Sequence, residues 1–237
     1  MNILITMAEP ATRPIKGLTA GPLYAHQISG KSLLEWSLLS LENFYSERFI
    51  FLPLKSHKSE VLIRNVCAEL GIKNIAIKEI TATTKGQAAT AHSAKEIIKD
   101  PREPLVIFGP YANIFSSELN PRMTQGDGWM PCIRKTGRSL ISISFDPSLR
   151  VVDVSDQQRL SEFSALGFFY WRSFELFEHC RRLCPYIGFK EHSVPPLYPL
   201  LAESTSKSVF THIVSLAAVH PFKDSTEIAE FTSWAKQ

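Results

Sequence analysis

Asn2-Ile3-Leu4-Ile5-Thr6-Met7 opens the chain as an aliphatic and β-branched run. A run of this kind without polar alternation reads as a strand buried on both faces. It stops at Ala8-Glu9-Pro10, and the Pro- and Gly-punctuated stretch from Glu9 to Gly30 reads as a long loop. From Lys31 the period changes: Leu33, Leu34, Trp36, Ser37, Leu38 and Leu41 recur at helical spacing behind Ser29-Gly30, which predicts a helix starting there. Phe49-Ile50-Phe51-Leu52 reads as a second strand, and Lys58 to Leu70 as an amphipathic helix stopped by Gly71. Asn74 to Lys78 is the third strand, Gln87 to Lys99 a helix closed by Asp100-Pro101, and Leu105 to Phe108 the fourth strand.

Strand and helix alternating in this way predict a parallel sheet with right-handed crossover helices, so the first hundred-odd residues read as a Rossmann-like half. After Gly109 the texture shifts to the strand-like runs Ser139 to Phe145, Arg150 to Val154 and Leu166 to Trp171. A helix follows from Ser173 to Leu183, another from Pro196 to Ala202, a strand from Val209 to Val214 and a last helix from Ser225 to Ala235. Asp224 with Glu227 three residues on makes a capping box for that helix. No repeat, linker or low-complexity tract marks a boundary, so residues 1–237 are expected to form a single domain. In open sheets of this type ligands sit beyond the carboxyl ends of the strands. The candidate loops are therefore Ala8 to Pro22, Thr81 to Ala89, Gly109 to Phe115 and His220 to Asp224.

The chain has 237 residues, 44% hydrophobic and 21% charged, which excludes a disordered or fibrous chain. The 26 Lys and Arg against 23 Asp and Glu leave +3, without the clustered excess of a nucleic-acid or anionic-membrane binder. Ile3 to Ala8 is too short to span a bilayer and carries no basic flank, so neither signal peptide nor anchor is expected. Cys67, Cys132, Cys180 and Cys184 are irregularly spaced and read as reduced thiols of a cytoplasmic protein. Cys180 and Cys184, one helical turn apart with His179 adjacent, resemble half a metal site, but no second pair has matching spacing.

The order of motifs resembles the nucleotidyltransferases that make nucleoside-diphosphate sugars and related activated alcohols, in particular the sugar-phosphate type found with capsule and polysaccharide genes. The similarity is carried by the opening strand with Met7-Ala8 and Arg13, by Ile28 to Trp36, and by Thr84-Lys85-Gly86-Gln87-Ala88-Ala89-Thr90-Ala91. Further pieces are Asp127-Gly128, Ala165 to Tyr170, and Val194-Pro195-Pro196-Leu197-Tyr198. The resemblance implies a three-layer, Rossmann-like (GT-A-like) α/β fold: a mixed, mostly parallel sheet with helices on both faces. It further implies a nucleotide-binding half at residues 1–115 and a sugar or acceptor half at residues 116–237. Nucleotide contacts would fall on Ala8, Glu9, Gly86, Gln87, Ala88 and Tyr111, and sugar-pocket contacts on Asp127, Gly128 and Gly167. For Gly86-Gln87-Ala88 a tight turn into a helix is an equal reading, and for Gly167 a strand bulge.

Enzymes of this class attack the α-phosphate of a nucleoside triphosphate with a sugar phosphate and expel pyrophosphate. That chemistry asks for a pliable Gly-rich loop, a cation against the developing charge, and carboxylates holding Mg²⁺. Here the A-G-x-G-x-R loop falls on Ala8-Glu9-Pro10-Ala11-Thr12-Arg13, so both glycines are replaced, by Glu9, which sets a negative charge where a triphosphate would lie, and by Ala11, while Pro10 removes an N–H donor and fixes φ between them. The Lys-Pro after the loop is Gly21-Pro22, the acid after the fourth strand is absent from Gly109 to Asn113, the acid before the last helix falls at Pro221, and the Glu-Lys pair is Asp156-Gln157.

Two readings follow. One is a noncatalytic relative that binds a nucleotide or nucleotide sugar, or a partner such as a second copy or an active transferase, with no nucleic acid, no membrane and no cofactor. The other is an active enzyme with displaced groups: Arg13 and Lys16 as catalytic cations, with Asp127, Asp146 or Asp224 holding Mg²⁺. A metal-dependent glycosyltransferase would need Asp-x-Asp after the fourth strand, and the sequence has none there.

Overall fold

The computed structural model describes residues 1–8, 21–135, 140–155, 157–184, 193–202 and 208–236. Four parallel strands make the first half of the sheet: β1 (Asn2–Met7), and in chain order after the β2–β3 hairpin (Gln27–Ile28, Lys31–Ser32), β4 (Arg48–Pro53), β5 (Ile75–Ile77) and β6 (Leu105–Phe108). They lie side by side as β5-β4-β1-β6. Because β1 is central, both its faces are buried: Ile3, Ile5 and Met7 pack on one layer and Leu4 on the other. Helices α1 (Leu33–Leu39) and α2 (Glu60–Leu70) cover the first face through Leu34, Leu38, Ile63 and Val66. Helix α3 (Gln87–His92) covers the second through Ala88 and Ala91, whose small side chains let its backbone lie close to the sheet. Each fully buried Leu, Ile or Phe of this kind contributes about 1.5–3 kcal/mol.

The chain turns at β7 (Ala112–Ile114) and builds the second half from β8 (Gly128–Ile133), β9 (Ile141–Phe145), β10 (Val151–Ser155), β11 (Phe163–Ala165) and β12 (Phe168–Trp171). Helix α4 (Phe174–Leu183) and the short α5 (Tyr198–Ala202) join α3 on the second face. Strand β13 (Val209–Ile213) adds parallel to β8; β14 (Val219–Pro221) pairs with β7, and α6 (Ser225–Trp234) packs on α1 through Phe231 against Trp36. The described residues thus form a ten-stranded mixed sheet between helical layers, the three-layer architecture the motif order implies.

One irregularity shapes the sheet. Strands β11 and β12 both run antiparallel along one edge of β8, yet β12 continues on to β6 while β11 continues on to β9. They part at Leu166-Gly167. Pro131 of β8 faces that break, and its carbonyl accepts the Leu166 N–H at 2.8 Å. A proline, having no N–H, is tolerated inside a sheet where the ladder is interrupted.

Several local expectations change. Ser29 and Gly30, at φ 51° and 82°, form the two-residue turn of the β2–β3 hairpin and do not start α1. The helix is capped by Ser32, whose hydroxyl accepts the Glu35 N–H at 3.1 Å. The helix expected to reach Lys99 is α only to His92 and continues as a 3₁₀ turn over Ser93–Glu96. All four cysteines are buried while His179 is exposed, so Cys180, Cys184 and His179 do not converge. No described helix is long and apolar enough to cross a membrane.

Candidate ligand cleft

The order β5-β4-β1-β6 reverses direction between β1 and β6, and a crevice opens beyond their carboxyl ends. Its back is closed by a short relay. The Gln87 side-chain amide, at the first residue of α3, donates to Thr6 Oγ1 at 3.2 Å, and Thr6 Oγ1 donates to the Phe108 carbonyl at 3.2 Å. The turn into α3 is held from within, because the Gly86 carbonyl accepts the Thr90 N–H at 3.0 Å and the Thr84 hydroxyl at 3.2 Å.

After β6 the chain folds sharply. Tyr111 N–H donates to the Gly109 carbonyl at 2.8 Å, and the Tyr111 ring lies over Gly109 so that a Cβ there would meet it at 3.0 Å. Only glycine fits beneath that ring without a shift. Lys223 Nζ stands 5.7 Å from the ring centroid, within range of a cation–π contact. Asp224 caps α6, its Oδ1 accepting the N–H groups of Thr226 at 2.9 Å and Glu227 at 3.0 Å, while Glu227 Oε2 accepts the Lys223 N–H at 2.8 Å. The Asp224 half of the capping box expected from sequence is formed, while Glu227 reaches one residue further back than the box requires, to Lys223 N–H in place of Asp224 N–H.

Together these elements border a cleft of about 190 Å³. Three of the four candidate loops reach it, through Gln87, through Gly109 and Tyr111, and through Pro221, Lys223 and Asp224. Gly167 lines it from the break between β11 and β12, exposed, with its carbonyl accepting the Gly109 N–H at 3.4 Å. The fourth loop, with Glu9, Arg13 and Lys16, lies outside the described residues, as does Asp156.

Other candidates are placed elsewhere. Ala8 and Ala88 are core residues. Asp127 and Gly128 sit at the opposite end of β8, because Gly128 pairs with Trp171 at the far end of β12. There Asp127 accepts the Ser208 N–H at 2.9 Å and meets Arg172 at 3.3 Å, and Gly128 leaves room for the Tyr198 ring. Asp146 holds a turn, accepting from the Ser148 hydroxyl at 2.6 Å, Arg150 N–H at 3.0 Å and Ser148 N–H at 2.9 Å, and these contacts, the hydroxyl's first, depress its pKa. Asn113 donates to the Trp36 carbonyl at 2.8 Å. His220, beside Asn113 in the β7–β14 pair, stacks on Trp234 at 3.9 Å, and burial lowers its pKa.

Sequence reading missed the far wall of the cleft: Ile133 and Lys135 at the end of β8, Leu140 and Ile141 entering β9, and Leu216 before β14. Recognising β8 as a strand would have placed Ile133 and Lys135 beside Phe108, since β8 and β6 run the same way on either side of β12.

The described cleft offers Mg²⁺ few free ligands: Asp224 Oδ1 and Glu227 Oε2 are spent on backbone N–H groups, which leaves one oxygen on each carboxylate, and the turn Gly109-Pro110-Tyr111 has no acidic side chain. Among the described residues no group of three His, Cys, Asp or Glu is placed to hold a metal ion.

No family model and no curated protein matches the chain. Solved structures do. A nucleoside-diphosphate-sugar pyrophosphorylase from Vibrio cholerae RC9 superposes with a TM-score of 0.86 over 98% of this chain and 99% of its own, at 20% identity. The inositol-1-phosphate CTP transferase from T. maritima follows at 0.76, over 100% and 96%, with 14% identity. HddC from Yersinia pseudotuberculosis superposes at 0.66 over 98% of each chain, with 13% identity. Identities this low speak for architecture, and in architecture the chain has the nucleotidyltransferase fold.

Proposed function

We propose that this protein binds a nucleotide or a nucleotide-linked ligand in the β1/β6 cleft and does not catalyse metal-dependent nucleotidyl transfer. The observation that carries this reading is the engagement of Asp224 and Glu227: the two acids bordering the cleft serve as caps of α6. Phosphoryl transfer relies on cations and metal-held charges positioned around the reacting phosphate. The sequence supports the same reading, since Glu9 and Ala11 stand where a phosphate-cradling loop has glycines and Pro10 between them has no N–H. A similar fold, HddC from Yersinia pseudotuberculosis complexed with GMP-PN, at 14% identity and a TM-score of 0.64, supports the nucleotide as ligand. A binding role beside nucleotide-sugar enzymes of polysaccharide synthesis, as a self-associating chain or as partner to an active transferase, suits such a site.

Calorimetric titration with CTP, GTP, UTP and their sugar conjugates, with and without Mg²⁺, tests the proposal together with a pyrophosphate-release assay on sugar phosphates. Binding indifferent to Mg²⁺, without pyrophosphate release, is expected. Magnesium-dependent pyrophosphate release overturns the noncatalytic reading in favour of displaced catalytic groups, and failure of every nucleotide to bind overturns the ligand.

A further inference from the structure

The far wall of the cleft is built from Ile133, Ile141, Leu166, Phe169, Leu216 and Val219. None of these side chains donates or accepts a hydrogen bond. Much of the main chain along the wall is also occupied: Leu166 N–H goes to Pro131 O at 2.8 Å, Phe168 N–H to Leu166 O at 2.8 Å, and Gly109 N–H to Gly167 O at 3.4 Å. A polyhydroxylated ring laid here would exchange water for groups that cannot replace it, and polar groups buried without partners weaken binding. Carbon set on the same wall strengthens it, by about fourfold in affinity for each CH₂ removed from water.

The rim has a different chemistry. Lys135 and Lys223 border the mouth, both exposed, and among the described residues neither ammonium lies in an ion pair; the acids beside Lys223, Asp224 and Glu227, direct one oxygen each to the backbone N–H groups at the start of α6. Lys223 is held near the mouth by its position over Tyr111. A cavity of about 150 Å³ holds benzene, so a volume of about 190 Å³ suits a small organic group.

From these features we infer that the far half of the cleft takes a phosphomonoester with a short apolar body, an alkyl or aryl group of a few carbons, and not a sugar phosphate. This rests on the cleft being the ligand site, as the proposed function has it. The phosphate is held at the rim by Lys135 and Lys223, and the carbon body displaces water from the Ile133–Leu216 wall.

The test is calorimetry on the full chain with butyl, hexyl, octyl and dodecyl phosphate below their micellar concentrations, phenyl phosphate, and glucose 1-phosphate. Affinity should rise about fourfold per methylene from butyl to hexyl and level off by octyl, with glucose 1-phosphate at least tenfold weaker than hexyl phosphate. Leu216 is 52% exposed, so Leu216→Asp should fold normally, with an unchanged melting temperature, and lose tenfold or more in affinity for hexyl phosphate. Lys135→Gln should weaken every alkyl phosphate by one common factor and leave the step per methylene intact.

Glucose 1-phosphate binding as tightly as hexyl phosphate, an absence of chain-length dependence, or indifference to Leu216→Asp each overturns the inference. Affinity climbing on to dodecyl phosphate overturns the short body in favour of a lipid phosphate. Nucleotide binding with a flat alkyl series removes this inference and leaves the proposed function standing. Alkyl phosphate binding without nucleotide binding does the reverse.

Discussion

Gln87 on α3 and Thr6 on β1, 81 residues apart, are joined by a 3.2 Å hydrogen bond across the back of the cleft, and Thr6 passes the contact on to the carbonyl of Phe108. The first turn of α3 is thereby fixed to both strands of the crevice. Gln87→Ala should lower stability by about 0.5–1.5 kcal/mol, the net worth of one such bond. It should also weaken nucleotide binding about three- to tenfold by freeing the helix start. Urea denaturation and calorimetry read the two effects separately, and an unchanged affinity would remove α3 from the ligand site.

Asp224 serves as a cap, and that role makes a different forecast from metal ligation. Asp224→Ala should destabilise by about 0.5–2 kcal/mol, while Asp224→Asn, which keeps an oxygen for Thr226 and Glu227 N–H, should be close to neutral. At a metal ligand both changes would weaken binding, since Asn keeps a neutral oxygen but loses the charge. Thermal melts of both variants with and without Mg²⁺ decide the matter: a magnesium-dependent stabilisation present in the parent and lost in Asp224→Asn would contradict capping as the role of this acid.

Gly128 lies at the end of the sheet away from the cleft, where a Cβ would come 2.6 Å from the Tyr198 ring. That ring has little room to yield, being fully buried with its hydroxyl donating to the Tyr170 carbonyl at 2.8 Å. Gly128→Ala should therefore destabilise by about 1–3 kcal/mol through overpacking and leave ligand affinity unchanged. A drop in affinity without a drop in denaturation midpoint would place Gly128 in a binding role after all.

Burial lowers the pKa of His220, and of His26 and His57, below the ordinary 6.5. Each is therefore easier to protonate in the unfolded chain. The unfolded state takes up more protons as pH falls below about 6.5, so folding stability is complete above that value and declines beneath it. The urea midpoint should be lower at pH 5.5 than at pH 7.5, and the fall should be smaller in His220→Phe, which keeps an aromatic ring against Trp234. A pH response identical in parent and variant would exclude His220 as a contributor.

The Rossmann-like half was legible because its strands are buried on both faces and read as continuous apolar runs, as in Ile3-Leu4-Ile5 and Phe49-Ile50-Phe51-Leu52. The helix stop at Gly71, with φ 74°, and the Asp224 cap of α6 were legible as local chemistry that tertiary contacts do not override. Strand β8 was not. Its sequence, Gly128-Trp129-Met130-Pro131-Cys132-Ile133, carries a glycine and a proline that argue against a central strand, and both are accommodated by distant partners, Tyr198 and the β11–β12 break. With β8 unseen, the cleft wall behind Ile133 could not be drawn, nor could the distance along the strand between that wall and Asp127-Gly128, which the family resemblance links to a sugar pocket. Strands β7 and β14, three residues each, are too short to show a period.

The parting of β11 from β12 opposite Pro131 has a consequence for how such a protein changes over time. Pro131 cannot donate towards that edge, so a single straight ribbon there would forgo a ladder hydrogen bond whichever side chains surround it. The hollow beside the break is favoured by that one main-chain position, and the residues facing it can be replaced at less cost, which lets ligand preference drift while the scaffold stands.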